Sequence, residues 1–176
     1  EMMLEDTAKV TDLNYVALRY FNVAGANVDL KIGQCSPNAT HLIKIASECA
    51  AGKRAGMSIF GEDYDTKDGT CVRDYIHVVD LAKSHVSALH YLLKNPMKEV
   101  FNIGTGIGLS VLQAIKYFEK ANNKKINYTI GPRRDGDVEE IYSDNAKVEK
   151  LLHWKAEISV ETAMTDAWNW ELKKVK

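Results

Sequence analysis

The chain reads as an α/β fold. Short runs rich in β-branched and aromatic residues are bounded by Gly, Asp, Asn or Pro, as strands are. Between them lie longer segments whose apolar residues recur every three to four positions, as in helices. At 176 residues, 45% of them hydrophobic and 27% charged, the chain is long and apolar enough to bury a sizeable core.

Glu1 to Val10 reads as the tail of a helix with no N-cap before it, and the start at Glu1 rather than Met suggests a fragment. Tyr15 to Tyr20, Y-V-A-L-R-Y, is a short strand of buried type. Ala24 to Pro37 is rich in Gly, Asn, Asp and Pro and reads as a loop. Asn38 or Thr40 then caps a predicted helix with Leu42, Ile45, Ala46 and Cys49 on its apolar stripe, ending at Gly52. Met57 to Phe60 is a strand in which Phe60 is expected to be a core side chain.

The densest chemistry lies between Ile59 and Leu81. A polar loop closed by Asp68-Gly69-Thr70 joins the strand ending at Phe60-Gly61 to a second extended run, Thr70 to Val78, and Asp-Gly there is a turn signal. Within that run Arg73, Tyr75 and His77 alternate onto one face, about 7 Å apart. A guanidinium, a phenol and an imidazole in a row suit an anionic, partly aromatic ligand. The same pattern also describes a solvated face carrying an Arg–Asp pair, and spacing does not separate the two readings.

Asp80 to Asn95 follows as an amphipathic helix with Leu81, His85, Leu89, Leu92 and Leu93 on one stripe. Glu99 to Ile103 is a strand leading into Gly104-Thr105-Gly106-Ile107-Gly108. Next comes a helix opened by a capping box, Ser110 with Gln113. Strand, glycine-rich turn and helix invite a dinucleotide-binding reading, which the spacing rejects: Leu109 stands where a third glycine belongs, and no acidic residue closes a following strand. Ile126 to Ile130 is a strand feeding the loop Pro132-Arg133-Arg134-Asp135-Gly136-Asp137. There arginines able to neutralise a phosphate stand beside carboxylates able to accept from hydroxyls. Asp144 to Leu152 and Ser159 to Leu172 are two closing helices, with Trp154, Trp168 and Trp170 as packing residues.

Composition removes several function classes. A net charge of −1 gives no basic field for nucleic acid, and the longest apolar stretches fall far short of a membrane span. Cys35, Cys49 and Cys71 have no disulfide or metal-ligand spacing and read as reduced thiols of a cytoplasmic protein.

The run G-E-D-Y-D-T-K-D-G-T-C-V-R-D-Y-I-H-V-V-D-L-A closely resembles the signature of the UDP-glucose 4-epimerases, NAD-dependent members of the extended short-chain dehydrogenase/reductase superfamily. L-R-Y-F-N-V-A-G-A at Leu18–Ala26, F-N-I-G-T-G at Phe101–Gly106, R-R-D-G-D-V at Arg133–Val138 and D-A-W-N-W-E at Asp166–Glu171 agree in the same order. The resemblance covers essentially all of residues 1–176, but only the C-terminal half of such an enzyme.

It implies the last strands of a Rossmann-type sheet, Tyr15–Tyr20 and Glu99–Ile103, plus the small α/β substrate-binding domain. The NAD-binding domain and the catalytic Tyr-x-x-x-Lys pair would lie upstream, leaving no catalytic residue here. Arg73, Tyr75 and Arg134 would hold the diphosphate of a UDP-sugar, Asp137 its ribose, and Ser58, Ile59 and Phe60 its uracil. Asn22 would face the sugar or phosphates and Phe21 the cofactor's nicotinamide, with Tyr20 also binding the cofactor. His41-Leu42 stands where the family usually has Asn-Leu, and His41 could still donate to a phosphate from the helix start. Asp135 replaces a frequent proline. Ile141 occupies a position whose bulk helps decide whether N-acetylated sugars fit, which implies tolerance of them. The resemblance also implies a homodimer as the intact enzyme. Two rivals remain: a sister nucleotide-sugar 4,6-dehydratase or decarboxylase, and a non-catalytic UDP-sugar-binding module.

Overall fold

The computed structural model describes residues 1–173. In chain order the elements are α1 (Met2–Val10), β1 (Tyr15–Tyr20), β2 (Asn22–Ala24), α2 (Leu42–Ala50), β3 (Met57–Phe60), β4 (Val72–Arg73), β5 (Tyr75–His77), α3 (Val78–Lys94), β6 (Lys98–Ile103), β7 (Leu109–Ser110), α4 (Val111–Asn122), β8 (Tyr128–Gly131), β9 (Glu140–Ile141), α5 (Ala146–Leu152) and α6 (Val160–Lys173).

The strands form small sheets. β1 and β6 pair in parallel from Tyr15 opposite Lys98 to Tyr20 opposite Ile103. β2 with β5 and β3 with β8 are also parallel pairs, while β4 lies between antiparallel β7 and parallel β9.

The β2–β5 pair is a septum. Alternation along each strand sends successive side chains to opposite faces, so Ala24 and Tyr75 enter one core while Val23 and Ile76 enter the other. The first core gathers Ile43 and Ala46 from α2, Met57 and Ile59 from β3, Ala114, Ile115 and Phe118 from α4, and Met164 and Trp168 from α6. The second gathers Leu81 and Ala88 from α3, Phe101 and Ile103 from β6, and Val148 and Leu152 from α5.

Several elements differ from expectation. The extended run around Arg73 breaks at Asp74, placing β4 and β5 in different sheets. The cause is Asp74 itself. It is 0% exposed and accepts from Thr105 N at 2.9 Å, Thr105 Oγ1 at 2.7 Å, Gly106 N at 3.0 Å and Ser143 N at 3.2 Å. This carboxylate also fills the Gly104–Gly108 turn, where a Cβ on Gly104 would fall 2.3 Å from Asp74 Oδ2. The turn binds an internal anion, the physical reason it is not a nucleotide cradle.

His77 shares the face of Tyr75, but α6 covers it. Its Nε2 lies 3.2 Å from Asp166 Oδ2, and its Nδ1 accepts from Val79 N to cap α3. Asp68-Gly69 makes a turn, with Gly69 at φ +78°, yet closes no hairpin; the loop folds on itself through Tyr64 N to Gly69 O. α2 is preceded by His41 rather than capped by Asn38 or Thr40. On α3, Leu89 and Leu93 are exposed while Ser84 and Ala88 are buried, so the true stripe lies one position away from the one the leucines suggest.

Candidate functional site

β3 alternates strictly: Met57 and Ile59 are buried, Ser58 and Phe60 open outward. Phe60 is therefore not a core side chain but a 43%-exposed platform, with the Arg134 guanidinium 5.3 Å from its ring centroid. Across the septum strand, Asn22 pairs with Tyr75 in register, so both face the same way. α2 brings His41 and Leu42 to this place with its N-terminus, whose amide dipoles favour an anion. His41 Nδ1 lies 2.6 Å from Gln34 Nε2.

These elements enclose a cavity of about 260 Å³, lined by Asn22, His41, Leu42, Ser58, Ile59, Phe60, Arg73, Tyr75, Arg134 and Asp137, together with Thr40, Ile45, Met57, Cys71 and Val111. Tyr20 and Phe21 do not line it. They border an adjoining cavity of about 440 Å³ with Val23, Ala24 and Ile32, and Asn22 and His41 line both. Ile141, on β9 opposite Arg73, is exposed and lines neither.

Cys71, Thr40 and Gln34 were missed from sequence. Cys71 had a signal, standing two residues before Arg73 and four before Tyr75 on the same alternation. Gln34 and Thr40 had none, since loop geometry brings them in.

The cavity's charge is concentrated at one end. Arg134 donates to Asp137 through Nη2 at 2.8 Å and Nε at 3.2 Å, and Arg73 Nη2 lies 3.6 Å from the same carboxylate. Asp137 holds the Arg134 guanidinium above its ordinary range. Burial pushes the Tyr75 phenol well up, so it stays a neutral donor at all ordinary pH. Arg133 turns away. It donates to Asp63 Oδ1 at 2.7 Å and stacks 4.0 Å over the Tyr64 ring, tying the two flanking loops together. The site thus offers cationic forks, a phenol, an imidazole and an exposed aromatic plane, a set suited to a phosphorylated, planar ligand. Among the described residues no cluster of three or more His, Cys, Asp or Glu could hold a metal.

The model of the family described as GDP-mannose 4,6 dehydratase matches residues 1–167. The chain belongs to this family. Within it, the chain is 46% identical over 179 residues to the UDP-glucose 4-epimerase of Haemophilus influenzae, a match covering 100% of this chain and 53% of that one. The structure superposes at a TM-score of 0.95 and 38% identity on the UDP-glucose 4-epimerase of Stenotrophomonas maltophila, solved with bound NAD and formylated UDP-arabinopyranose, covering 99% of this chain and 52% of that one. The corresponding enzyme of Bifidobacterium longum, in complex with NAD+ and UDP, gives 0.93 at 40% identity, again covering 99% and 52%. The chain spans about half the length of the relatives it matches. The likeness to UDP-glucose 4-epimerases read from the sequence holds, as does the α/β fold with strands of a Rossmann-type sheet. No helix among the described residues is long and apolar enough to cross a membrane.

Proposed function

We propose that residues 1–176 form the UDP-sugar-binding portion of a UDP-glucose 4-epimerase, acting with an NAD-binding domain on the same polypeptide. The observation that carries this is the convergence of Asn22, His41, Ser58, Phe60, Arg73, Tyr75, Arg134 and Asp137, from distant segments, onto one cavity with its guanidiniums at one end. Relatives solved with UDP or a UDP-sugar support it.

In this reading Arg73 and Arg134 hold the diphosphate with Tyr75 and His41 donating beside them, Asp137 accepts from the ribose, and uracil lies along Ser58, Ile59 and Phe60. Asn22, on the wall shared with the second cavity, meets the sugar end. The cofactor's nicotinamide end fits that second cavity, whose apolar lining sits at the C-terminal end of parallel strand β1. Tyr20 and Phe21 would hold it there. When bound, NAD supplies the hydride acceptor and donor for oxidation at C4 and return to the opposite face. Such inversion needs a firm hold on UDP and a loose one on the hexose, and this chain's part is the firm hold. The acid–base groups belong to the upstream part, so the chain alone binds without turning over. The reading carries with it a cytoplasmic homodimer, testable by sedimentation of the full-length enzyme.

A sister 4,6-dehydratase has the family model's own description in its favour. The same cavity would hold its nucleotide, and the product formed from UDP-glucose by the full-length enzyme separates the two.

The direct test is calorimetric titration of this chain with UDP. Wild type is expected to bind, and Arg73→Ala to weaken binding roughly 30-fold or more, the scale for removing one partner of a charge-assisted contact. Equal binding by both proteins would end the assignment.

A further inference from the structure

Arg134 and Asp137 stand three residues apart in the loop between β8 and β9, and their side chains meet twice, Nη2 to Oδ1 at 2.8 Å and Nε to Oδ2 at 3.2 Å. That is the fork geometry in which a guanidinium receives a phosphate. Arg73 approaches the same Oδ1 from β4, at 3.6 Å. One carboxylate thus engages both arginines of the cavity, and its side chain is 15% exposed. An incoming phosphate must take Arg134's donors from Asp137, replace that carboxylate as the ion-pair partner of Arg73, whose Nη1 donates to Val72 O, and would meet a like charge if the carboxylate stayed in place.

We infer that Asp137 is an internal competitor for the ligand's anion, holding Arg73 and Arg134 until a phosphate displaces it. Gly136, immediately before Asp137, has φ +82° and nothing within 4 Å of where a Cβ would stand, so glycine serves conformation there rather than space. This rests on the proposed nucleotide reading of the cavity, and it assigns Asp137 an exchange: guanidiniums before the ligand arrives, a ribose hydroxyl afterwards. Two roles for one side chain predict opposite effects on two ligands. Removing the charge should favour a ligand that has only phosphates and favour UDP less, because UDP also loses the hydroxyl contact.

The experiment titrates inorganic pyrophosphate and UDP into the 176-residue chain, comparing wild type with Asp137→Asn and with Asp135→Asn. Asp135 lies exposed on the same loop, so it matches the change in net charge without touching either guanidinium. Asp137→Asn is expected to lower the pyrophosphate Kd about fivefold, with Asp135→Asn within about twofold of wild type. Asp137→Ser, which shortens the side chain, should move the same way, and circular dichroism checks that each variant is folded. Unchanged or weaker pyrophosphate binding in Asp137→Asn overturns the inference, as does equal tightening in Asp135→Asn or no pyrophosphate binding by any of them. If wild type ignores UDP while Asp137→Asn still tightens pyrophosphate, the competition stands and the nucleotide reading falls.

Discussion

The two cores on either side of the β2–β5 septum are built differently. The first is closed: α2, α4 and α6 pack against one another, α2 also against β3, and Phe118, Ala46, Ala163 and Met164 are all 0% exposed. The second is open on one flank, where Val16, Leu18, Ala88, Leu89 and Leu92 line a groove of about 270 Å³. There, among the described residues, β1 is paired along one edge, to β6. The cavity with the arginines stands on the closed side, and Tyr75, Ile59 and Met57 belong to both its wall and that core. The aim of the cavity's side chains therefore depends on packing within that core. The groups bordering the second cavity, Tyr20 and Phe21, stand at the end of the open side's sheet.

The largest expected effect tests this directly. Phe118 is fully buried at the centre of the closed core, so Phe118→Ala should cost about 3–5 kcal/mol, read from urea denaturation. UDP affinity should fall with it, because Ala114, Ile115 and Phe118 back the walls that position Met57 and Ile59. Destabilisation with unchanged UDP affinity in the remaining folded fraction would break the link between packing and aim.

A second test concerns the electrostatic clamp that closes the same side. Glu171 of α6, 1% exposed, accepts from Lys44 of α2 and from Lys53, each at 2.5 Å. Burial opposes its ionisation, but the two lysine hydrogen bonds prevail and hold the carboxyl below its ordinary value of 4.5. Glu171→Gln should cost about 2–3 kcal/mol near neutral pH. A depressed folded pKa means the carboxylate's contribution is complete above its ordinary value and is lost as pH falls through the depressed one. The gap between wild type and Glu171→Gln should therefore narrow below about pH 4.5. A gap constant from pH 7 to pH 3 would show that the pair's charge is not what closes α2 against α6.

The same contrast explains what the sequence could show. Features set by near neighbours were legible. Ser110 and Gln113 form the capping box their spacing announces, and the Arg73–Tyr75 alternation places both on the cavity wall. Phe60 lies outside the core against expectation although its own strand carries the answer, since Met57 and Ile59 take the core face by the same period of two. Leu89 and Leu93 mislead because a helix of 17 residues offers neighbouring stripes, and side-chain size points to the wrong one; the buried positions Ser84 and Ala88 are small, on a helix that packs against β1. Asp74 was out of reach. Its partners lie 31 and 69 residues away, and nothing local distinguishes a carboxylate that fills a glycine turn from one that faces water. His77 was hidden similarly, by an aspartate 89 residues downstream.

The smallest expected effect bears on the open flank. Leu89 is 55% exposed and sits on the rim of the groove beside β1, so in this chain most of its surface is already in water when folded. Truncating a half-exposed leucine removes little that folding had buried, and Leu89→Ala should change unfolding free energy by no more than about 0.5 kcal/mol. That contrasts with Phe118→Ala by nearly an order of magnitude, though both remove large apolar side chains. The measurement is urea denaturation at two protein concentrations tenfold apart. A small, concentration-independent change means the flank is open in solution as it is in the fold, and the two sides differ as described. A large loss at both concentrations means the chain itself folds over the groove, and the second core is as closed as the first. A loss that appears only at the higher concentration means that another copy covers Leu89, so the flank's stability comes from association rather than from this chain's own packing.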